Sequence, residues 1–436
     1  MGSSAVSLPH ATEQSTAVRP DADPPGLWRN RPFLLLWGGQ TVSEIGSSVS
    51  TLALPLLAVT TLRASTFQVA LLGMLGYLPF LLLSLPAGVL VDRLRKRPLM
   101  LWCDVARMLL LGSVPLVALL GRVPMGQLFA VALGVGALSV MFDVAYQSYL
   151  PTLLSTRQLV DGNGKLGTTQ ALAQFVGPSL AGALVGLLGA ARAVAVDAGS
   201  YALSTVSLAL IRVPETGAGD EPGKPRVGFR EAMTEGLVFV VRDPILRCIV
   251  ACTATANLFS GALSAVEVVF LVRTLHATPV VVGAVLGLAA VGGLAGGLLS
   301  GWLARRVGSA RVIWVSMLAP TPLFLLIPLS RPGWGVLLYS LGWAAFSAAG
   351  TVYNTAQVSY RQSICPPELL GRMNASVRWI VWGTLPLGSL LGGALGSWIG
   401  LRPTLWVCVP GACAAGLWLL CSPLRTMRDV PEPRFG

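Results

Sequence analysis

Charge is scarce in this sequence. Of 436 residues, 11% are Asp, Glu, Lys or Arg and 54% are apolar, whereas a soluble globular domain carries roughly twice that charged fraction. With a mean hydropathy of +0.70, the chain reads as an integral membrane protein. Histidine is nearly absent: His10 and His276 are the two present, so no His-rich metal pair can form. There is no C-x-x-C, and Cys103, Cys248, Cys252, Cys365, Cys408, Cys413 and Cys421 read as small apolar packing residues. A P-loop lysine motif and a G-x-S-x-G elbow are also missing. The expectation is therefore no enzyme, no cofactor, no metal and no nucleotide site in this chain. Polar/apolar alternation is lacking too, which excludes a membrane barrel.

What is there is a series of continuous apolar runs, each long enough to cross a bilayer as a helix of about 20 residues. Twelve candidate spans start near Phe33, Phe67, Pro98, Met125, Leu166, Ala193, Ile245, Pro279, Val312, Trp334, Met373 and Pro403. Backbone polar groups in lipid must be satisfied within such helices, so the expected class is an all-α membrane protein.

A net charge of +12 could suggest a nucleic-acid partner, but the placement of the basic residues argues against one. Arg63, Arg122, Arg192, Arg273, Arg331 and Arg402 fall one to each loop of one side, and Arg107 lies within a span. The remaining Lys and Arg, about 24 of 31, lie in the tails and the alternate loops. By the positive-inside rule that second side is cytoplasmic, which puts both termini there. Residues 1–32 are polar, Pro-rich and without a signal-peptide pattern; a disordered cytoplasmic tail is expected, with a second tail over 423–436.

The longest polar stretch, 214–243, divides six spans over 33–213 from six over 244–422 and is expected to be a cytoplasmic central loop. The halves repeat weakly. Tyr149, Leu159 and Asn163 after span four correspond to Tyr360, Leu370 and Asn374 after span ten, a constant offset of 211 that fits two pseudo-symmetric six-helix bundles born of duplication. Glycines recur every four residues: Gly388, Gly392, Gly396 and Gly400 in span eleven, Gly293, Gly297 and Gly301 in span eight, Gly182 and Gly186 in span five. Such small-residue faces let helices approach closely in lipid, either between the halves or within one.

Polar residues form stripes on every third span: Gln40, Glu44, Ser47 and Thr51 in the first; Ser139, Asp143, Tyr146 and Gln147 in the fourth. The seventh has Asn257, Ser260, Ser264 and Glu267, and the tenth Gly350, Tyr353, Asn354 and Gln357. Spacings of three and four put each set on one helix face. A polar face in hydrocarbon needs a water-filled cavity or another helix, and one shared central cavity satisfies all four.

At this point the sequence resembles the major facilitator superfamily, in particular its twelve-helix bacterial drug:proton antiporter branch of macrolide-efflux and enterobactin-exporter-like proteins. The resemblance runs over nearly all of Arg29 to Arg425. Its most specific element is Gly88-x-x-x-Asp92-Arg93-x-x-Lys96-Arg97, between spans two and three. The resemblance implies a gating loop in which Asp92 stabilises the outward-facing state across the two halves and Gly88 permits close helix approach. The basic residues of the loop could alternatively serve topology alone. The matching loop of the second half has Arg305 where the acid would fall, so the two gates are not expected to work alike. In span five, Ala173-x-x-x-Gly177-Pro178-Ser-Leu-Ala181-Gly182 resembles the superfamily's antiporter motif, with Ala at two Gly positions. This implies export; a simple proline kink is the alternative.

Ionisable groups within spans are costly and mark function or pairing. Asp104 and Arg107, three residues apart, read as a self-neutralising intramembrane pair. Asp197 and Glu267 are placed near the outer boundary, in reach of solvent. Glu44 and Asp143 lie deeper, on cavity stripes. A carboxylate drawn out of water keeps its proton closer to neutrality, so Glu44 is the expected main proton-coupling site and Asp143 the second; attraction of a cationic substrate, or pairing with a neighbour, is the competing reading.

The expected substrate cavity comprises Gln40, Gln147, Asn257, Phe259, Phe346, Tyr353, Asn354 and Gln357, with Trp343 as a further aromatic contact. The expected activity is proton-coupled efflux of a drug, macrolide or secondary metabolite by a monomer working by alternating access in a bacterial cytoplasmic membrane. Export of a siderophore or other narrow metabolite, and proton-coupled uptake, are the rival transport readings.

Overall fold

A computed structural model describes residues 27–121, 123–213 and 229–430. Every regular element among them is helical. The first half holds α1 (Arg31–Leu56, extended by a π-helical turn, Leu57–Thr61), α2 (Thr66–Arg93), α3 (Lys96–Leu120), α4 (Met125–Leu153), α5 (Thr156–Leu188) and α6 (Ala190–Ala209). After α7 (Phe229–Arg242) come α8 (Pro244–Arg273), α9 (Pro279–Val307), α10 (Arg311–Leu318), α11 (Thr321–Phe324), α12 (Leu326–Leu329), α13 (Val336–Ile364), α14 (Pro367–Trp398), α15 (Leu401–Ala414) and α16 (Leu417–Leu420).

Eleven helical stretches among the described residues are long and apolar enough to cross a membrane. α6, the sixth span, brings the number to twelve: Asp197, Ser200, Ser204 and Ser207 lower its hydropathy, but it is wedged against α1 and α3. The ninth span is broken into α10, α11 and α12 because Pro320, Pro322 and Pro328 each lack an amide donor. The twelfth breaks between α15 and α16 at Ala415–Gly416. Starts are well capped. Ser65 and Gln68 form a capping box on α2, and the Asp243 carboxylate accepts from the amides of Ile245 and Leu246 at 2.8 Å, ahead of Pro244.

The repeat seen in the sequence is a repeat of packing. In the first half α1 packs on α5 and α6, α2 on α4, and α3 on α4 and α6. In the second, α8 packs on α14 and α15, α9 on α13, α10 on α13, and α12 on α15. These are the same span-to-span pairs shifted by six. The halves meet chiefly through α5 against α9 and α2 against α14, a pair of contacts that exchange under a two-fold rotation.

Two sequence expectations change here. The 214–243 stretch is not all loop: α7 fills its end, packing on α14 and α8, with Gly236 against the Arg372 carbonyl and Glu235 paired to Arg372. An apolar face of Leu237, Val240 and Val241 every three to four residues within a short polar segment was the missed signal. Nor is 423–430 a free tail. Leu424 is fully buried. The Arg428 carbonyl accepts from the amides of Ala310 and Arg311, and Asp429 accepts from the Ser309 amide at 3.0 Å, so this strap closes the α9–α10 turn. Gly308, at φ +109°, lets the Arg428 carbonyl pass where a Cβ would collide with it. Residues 27–29, at the end of the expected first tail, form a 3-10 turn with Leu27 buried. Residues 1–26, 214–228 and 431–436 lie outside the described ones.

Candidate functional site: a central cavity between the two halves

The two halves are sealed at the face opposite the chain's basic loops. α5 and α9 touch backbone to backbone: a Cβ on Gly182 would sit 2.5 Å from the Pro279 carbonyl oxygen, and one on Gly283 2.5 Å from that of Pro178. On the other flank Gly393 faces Phe67 and Ala70, and Gly396 faces Thr66. The Arg273 guanidinium, at the end of α8, donates to the Ala64 carbonyl in the α1–α2 loop. Gly182 of the antiporter-like motif is thus a seal residue. Gly177 lets α5 approach Ser48 of α1, and Pro178 lines the cavity beneath.

That cavity, of about 1230 Å³, is walled by α1, α2, α5, α8, α9 and α13. Its apolar wall carries Phe175, Trp343 and Phe346, the last two edge to face at 5.3 Å. Ser48, Thr51, Tyr77, Gln174 and Asn354 add hydroxyl and amide groups. Glu267 is the one acidic side chain on the wall among the described residues, and its carboxyl oxygen accepts from the Tyr339 hydroxyl at 3.2 Å. A smaller cavity of about 320 Å³ between α2, α4 and α14 is lined by Asp143, Gln147, Phe80, Arg378, Trp379 and Trp382 among others. There the Arg378 guanidinium lies over the Trp382 ring, the Trp379 indole donates to the Leu81 carbonyl at 3.2 Å, and Arg378 is an electrostatic neighbour of Asp143.

Behind the cavity the first half holds a buried polar cluster. Arg107 is paired to Asp104, whose other oxygen accepts from the Ser204 hydroxyl at 2.7 Å. Arg107 also donates to Ser139 at 3.3 Å and lies between the rings of Phe142 and Tyr201, 4.4 Å from each centroid. The pair expected from its spacing is therefore present, and it ties α3 to α4 and α6. Glu44, half-buried on α1, has Asp143 and Arg107 as electrostatic neighbours.

Several expected placements are corrected. Asp197 is not at a solvated end: it is 1% exposed, accepts from Ser200, and faces Gly46 across the α1–α6 contact. Glu267 lies on the cavity, where its stripe in the seventh span points. Of the expected substrate-cavity residues, Phe346 and Asn354 line the main cavity and Gln147 the smaller one. Phe259 instead covers Gly411 of α15. Tyr353 is buried against α8, bonded to Thr253 and the Ile249 carbonyl. Asn257 donates to the Val381 carbonyl at 2.9 Å, joining α8 to α14. Gln357, 3% exposed, donates to Asn354, and Gln40 lines neither cavity. The stripes thus read helix–helix bonds and cavity lining alike, because both need polar atoms at the same spacing.

In the α2–α3 loop, the Asp92 side chain lies outside the described residues. Among the described residues a Cβ on Gly88 would meet nothing within 4 Å, so the close approach expected of it is not seen among them. Arg93 ends α2 exposed, and Lys96 opens α3. Arg97 donates to the carbonyls of Leu208 and Ala209 at 3.0 and 2.8 Å, capping the negative end of α6, a contact within the first half. Arg378, Tyr77, Gln174 and Phe175 were missed. A lone aromatic in an apolar run looks the same whether it meets a cavity or lipid.

Two six-span bundles around a cavity sealed at one face are the architecture of a multi-pass transporter. A family described as transmembrane secretion effector matches residues 25–434. The chain belongs to that family of the major facilitator superfamily, whose members are transporters and not enzymes. It is 27% identical over 389 residues to the multidrug efflux pump Tap of Mycolicibacterium fortuitum, covering 86% of this chain and 91% of the relative. Macrolide efflux protein A of Streptococcus pyogenes is 23% identical, covering 91% of this chain and 97% of its own. Among solved structures, a bacterial homolog of the human lysosomal transporter Spinster, in an inward-facing and occupied conformation, superposes with a TM-score of 0.71 at 15% identity, over 91% of this chain and 97% of that one.

Proposed function

We propose that this chain is a proton-coupled exporter of amphipathic small molecules, acting as a monomer in a bacterial cytoplasmic membrane with its basic face and both termini in the cytoplasm. The carrying observation is the cavity between the halves: large enough for a drug-sized molecule, mostly apolar and aromatic, with a few hydroxyl and amide anchors. The efflux activities named for the two relatives support the direction.

The halves rock about the cavity. Cargo enters while the seal at Gly182–Gly283 and Arg273–Ala64 is closed, and leaves on the other side once that seal parts and the basic face closes. The Asp104–Arg107 cluster keeps α3, α4 and α6 moving as one body. Glu44 is the main proton carrier in this scheme and Asp143 the second; both are half-buried in the first half, near Arg107. Asp92, Arg93 and Lys96 act at the basic face when it closes.

The test is accumulation of a fluorescent cationic dye and of a macrolide in cells expressing the chain or its Glu44→Gln form, with and without a protonophore. Lowered accumulation, abolished by the protonophore and by the substitution, is expected. Unchanged efflux by Glu44→Gln would remove that residue from coupling, and no efflux of any compound would remove the export reading.

A further inference from the structure

Glu267, expected both on the cavity stripe of the seventh span and near a solvated outer boundary, stands half-buried on the cavity wall. It projects from α8 immediately beneath the seal, within two turns of Arg273, whose bond to Ala64 closes the face. Its carboxylate is held from one side by the Tyr339 hydroxyl, and Tyr339 is fully buried and stacked on Phe270, so the acceptor geometry is fixed by packing. No Lys or Arg lies on the wall of the 1230 Å³ cavity among the described residues. Arg107 and Arg378, the electrostatic neighbours of Glu44 and Asp143, do not line this wall.

A single carboxyl group held in place at the closed end of an apolar chamber, facing aromatic rings, is when ionised a site for one positive charge. The Coulomb term is larger at a half-buried site than in bulk water, and the faces of Phe175, Trp343, Phe346 and Tyr77 add cation–π attraction along the approach. A carboxylate-bearing or otherwise anionic cargo meets repulsion at the same point, with no cation to offset it.

We propose that Glu267, positioned by Tyr339, is the substrate-recognition residue of the main cavity and selects amphipathic molecules bearing one cationic centre. This rests on reading the cavity as the transport site and names the cargo's chemistry.

The test compares two probes of similar shape, tetraphenylphosphonium and uncharged triphenylphosphine oxide, binding to the purified full chain in nanodiscs. The unmodified protein is expected to bind the cation at least tenfold more tightly than the oxide. Glu267→Gln is expected to abolish that preference with oxide binding unchanged, and Glu267→Asp to retain part of it. A preference that survives Glu267→Gln, or equal weakening of both probes, overturns the assignment. Should Glu267→Gln fail to fold, the unmodified chain still decides. Saturating tetraphenylphosphonium is expected to slow carbodiimide labelling of Glu267, read by peptide mass spectrometry, and the oxide is not; equal labelling under both probes overturns the proposal. Cation-selective binding without cellular efflux would leave this site standing and remove export, whereas efflux indifferent to Glu267 would do the reverse.

Discussion

The two halves share one packing plan and hold it together by different chemistry. In the first half, cohesion runs through a buried charged cluster: Asp104, Arg107, Ser139 and Ser204, with Asp197 and Ser200 nearby. Shifted by the offset of 211, the positions of Asp104, Arg107 and Asp197 fall on Val315, Leu318 and Cys408, and that of Asp143 on Asn354. The second half lacks those charges and relies on several glycines against carbonyls, Gly292 and Gly296 on Ala344 and Ala348, Gly388 and Gly392 on Leu258 and Ala262, where the first half has Gly136 on Gly76. Most of the glycine stripe in α14 therefore serves packing within its own half. Both bundles use closely spaced backbones, and the first adds a buried charge pair.

This contrast can be broken most severely at Arg107. Arg107→Leu leaves Asp104 buried without its partner and should cost about 3–5 kcal/mol, seen as loss of folded protein or a large drop in thermal stability in detergent. Replacing both members, Asp104→Asn with Arg107→Met, should cost far less, because the desolvation of both charges is removed together. In the second half the matching weak point is Gly292. A Cβ there would lie 1.9 Å from the Ala344 carbonyl oxygen, so Gly292→Ala should cost about 1–3 kcal/mol by overpacking. Gly73→Ala in the first half meets open space and should leave stability unchanged or slightly raised. Equal effects at the two glycines would show that the close contact at Gly292 carries no cost.

Between the halves, Gly182→Ala should spread the seal rather than unfold the protein. We expect about a tenfold shift, or ~1.4 kcal/mol, toward the conformation open at that face, read as lengthened distances between spin labels at Ser65 and His276. The smallest effect is expected at the α7 contact. Glu235→Gln removes a half-exposed ion pair with Arg372 and should change stability by less than about 1 kcal/mol, leaving transport intact.

Fold and family were legible because hydrophobic runs, loop charge and the repeat are properties of the chain alone. The site was legible only in part. Spacing three and four put Asp104 beside Arg107, since one helix sets that geometry by itself. It could not separate Asn257, bonded to the Val381 carbonyl of α14, from Asn354, which faces the cavity; partner helices decide that. The depth of Glu267 was legible only in part for a related reason. Counting residues from the end of a span gives depth in a slab, but solvent access depends on whether the halves are closed above it, and Arg273 closes them there. Phe259 and Tyr353 carry the ring chemistry of a drug pocket yet fill contacts inside the second half.

The strap formed by residues 423–430 has a consequence for how the chain matures. The turn at Gly308–Arg311 is synthesised more than a hundred residues before Arg428 and Asp429, which supply its missing acceptors. Until those residues leave the ribosome, the amides of Ser309, Ala310 and Arg311 have only water to bond, and the surface that Leu424 covers stays bare. The second bundle can thus be inserted span by span, but its basic corner is completed last, so a nascent chain cut short after α16 would display an open corner to the cell's quality-control machinery although every span was in place.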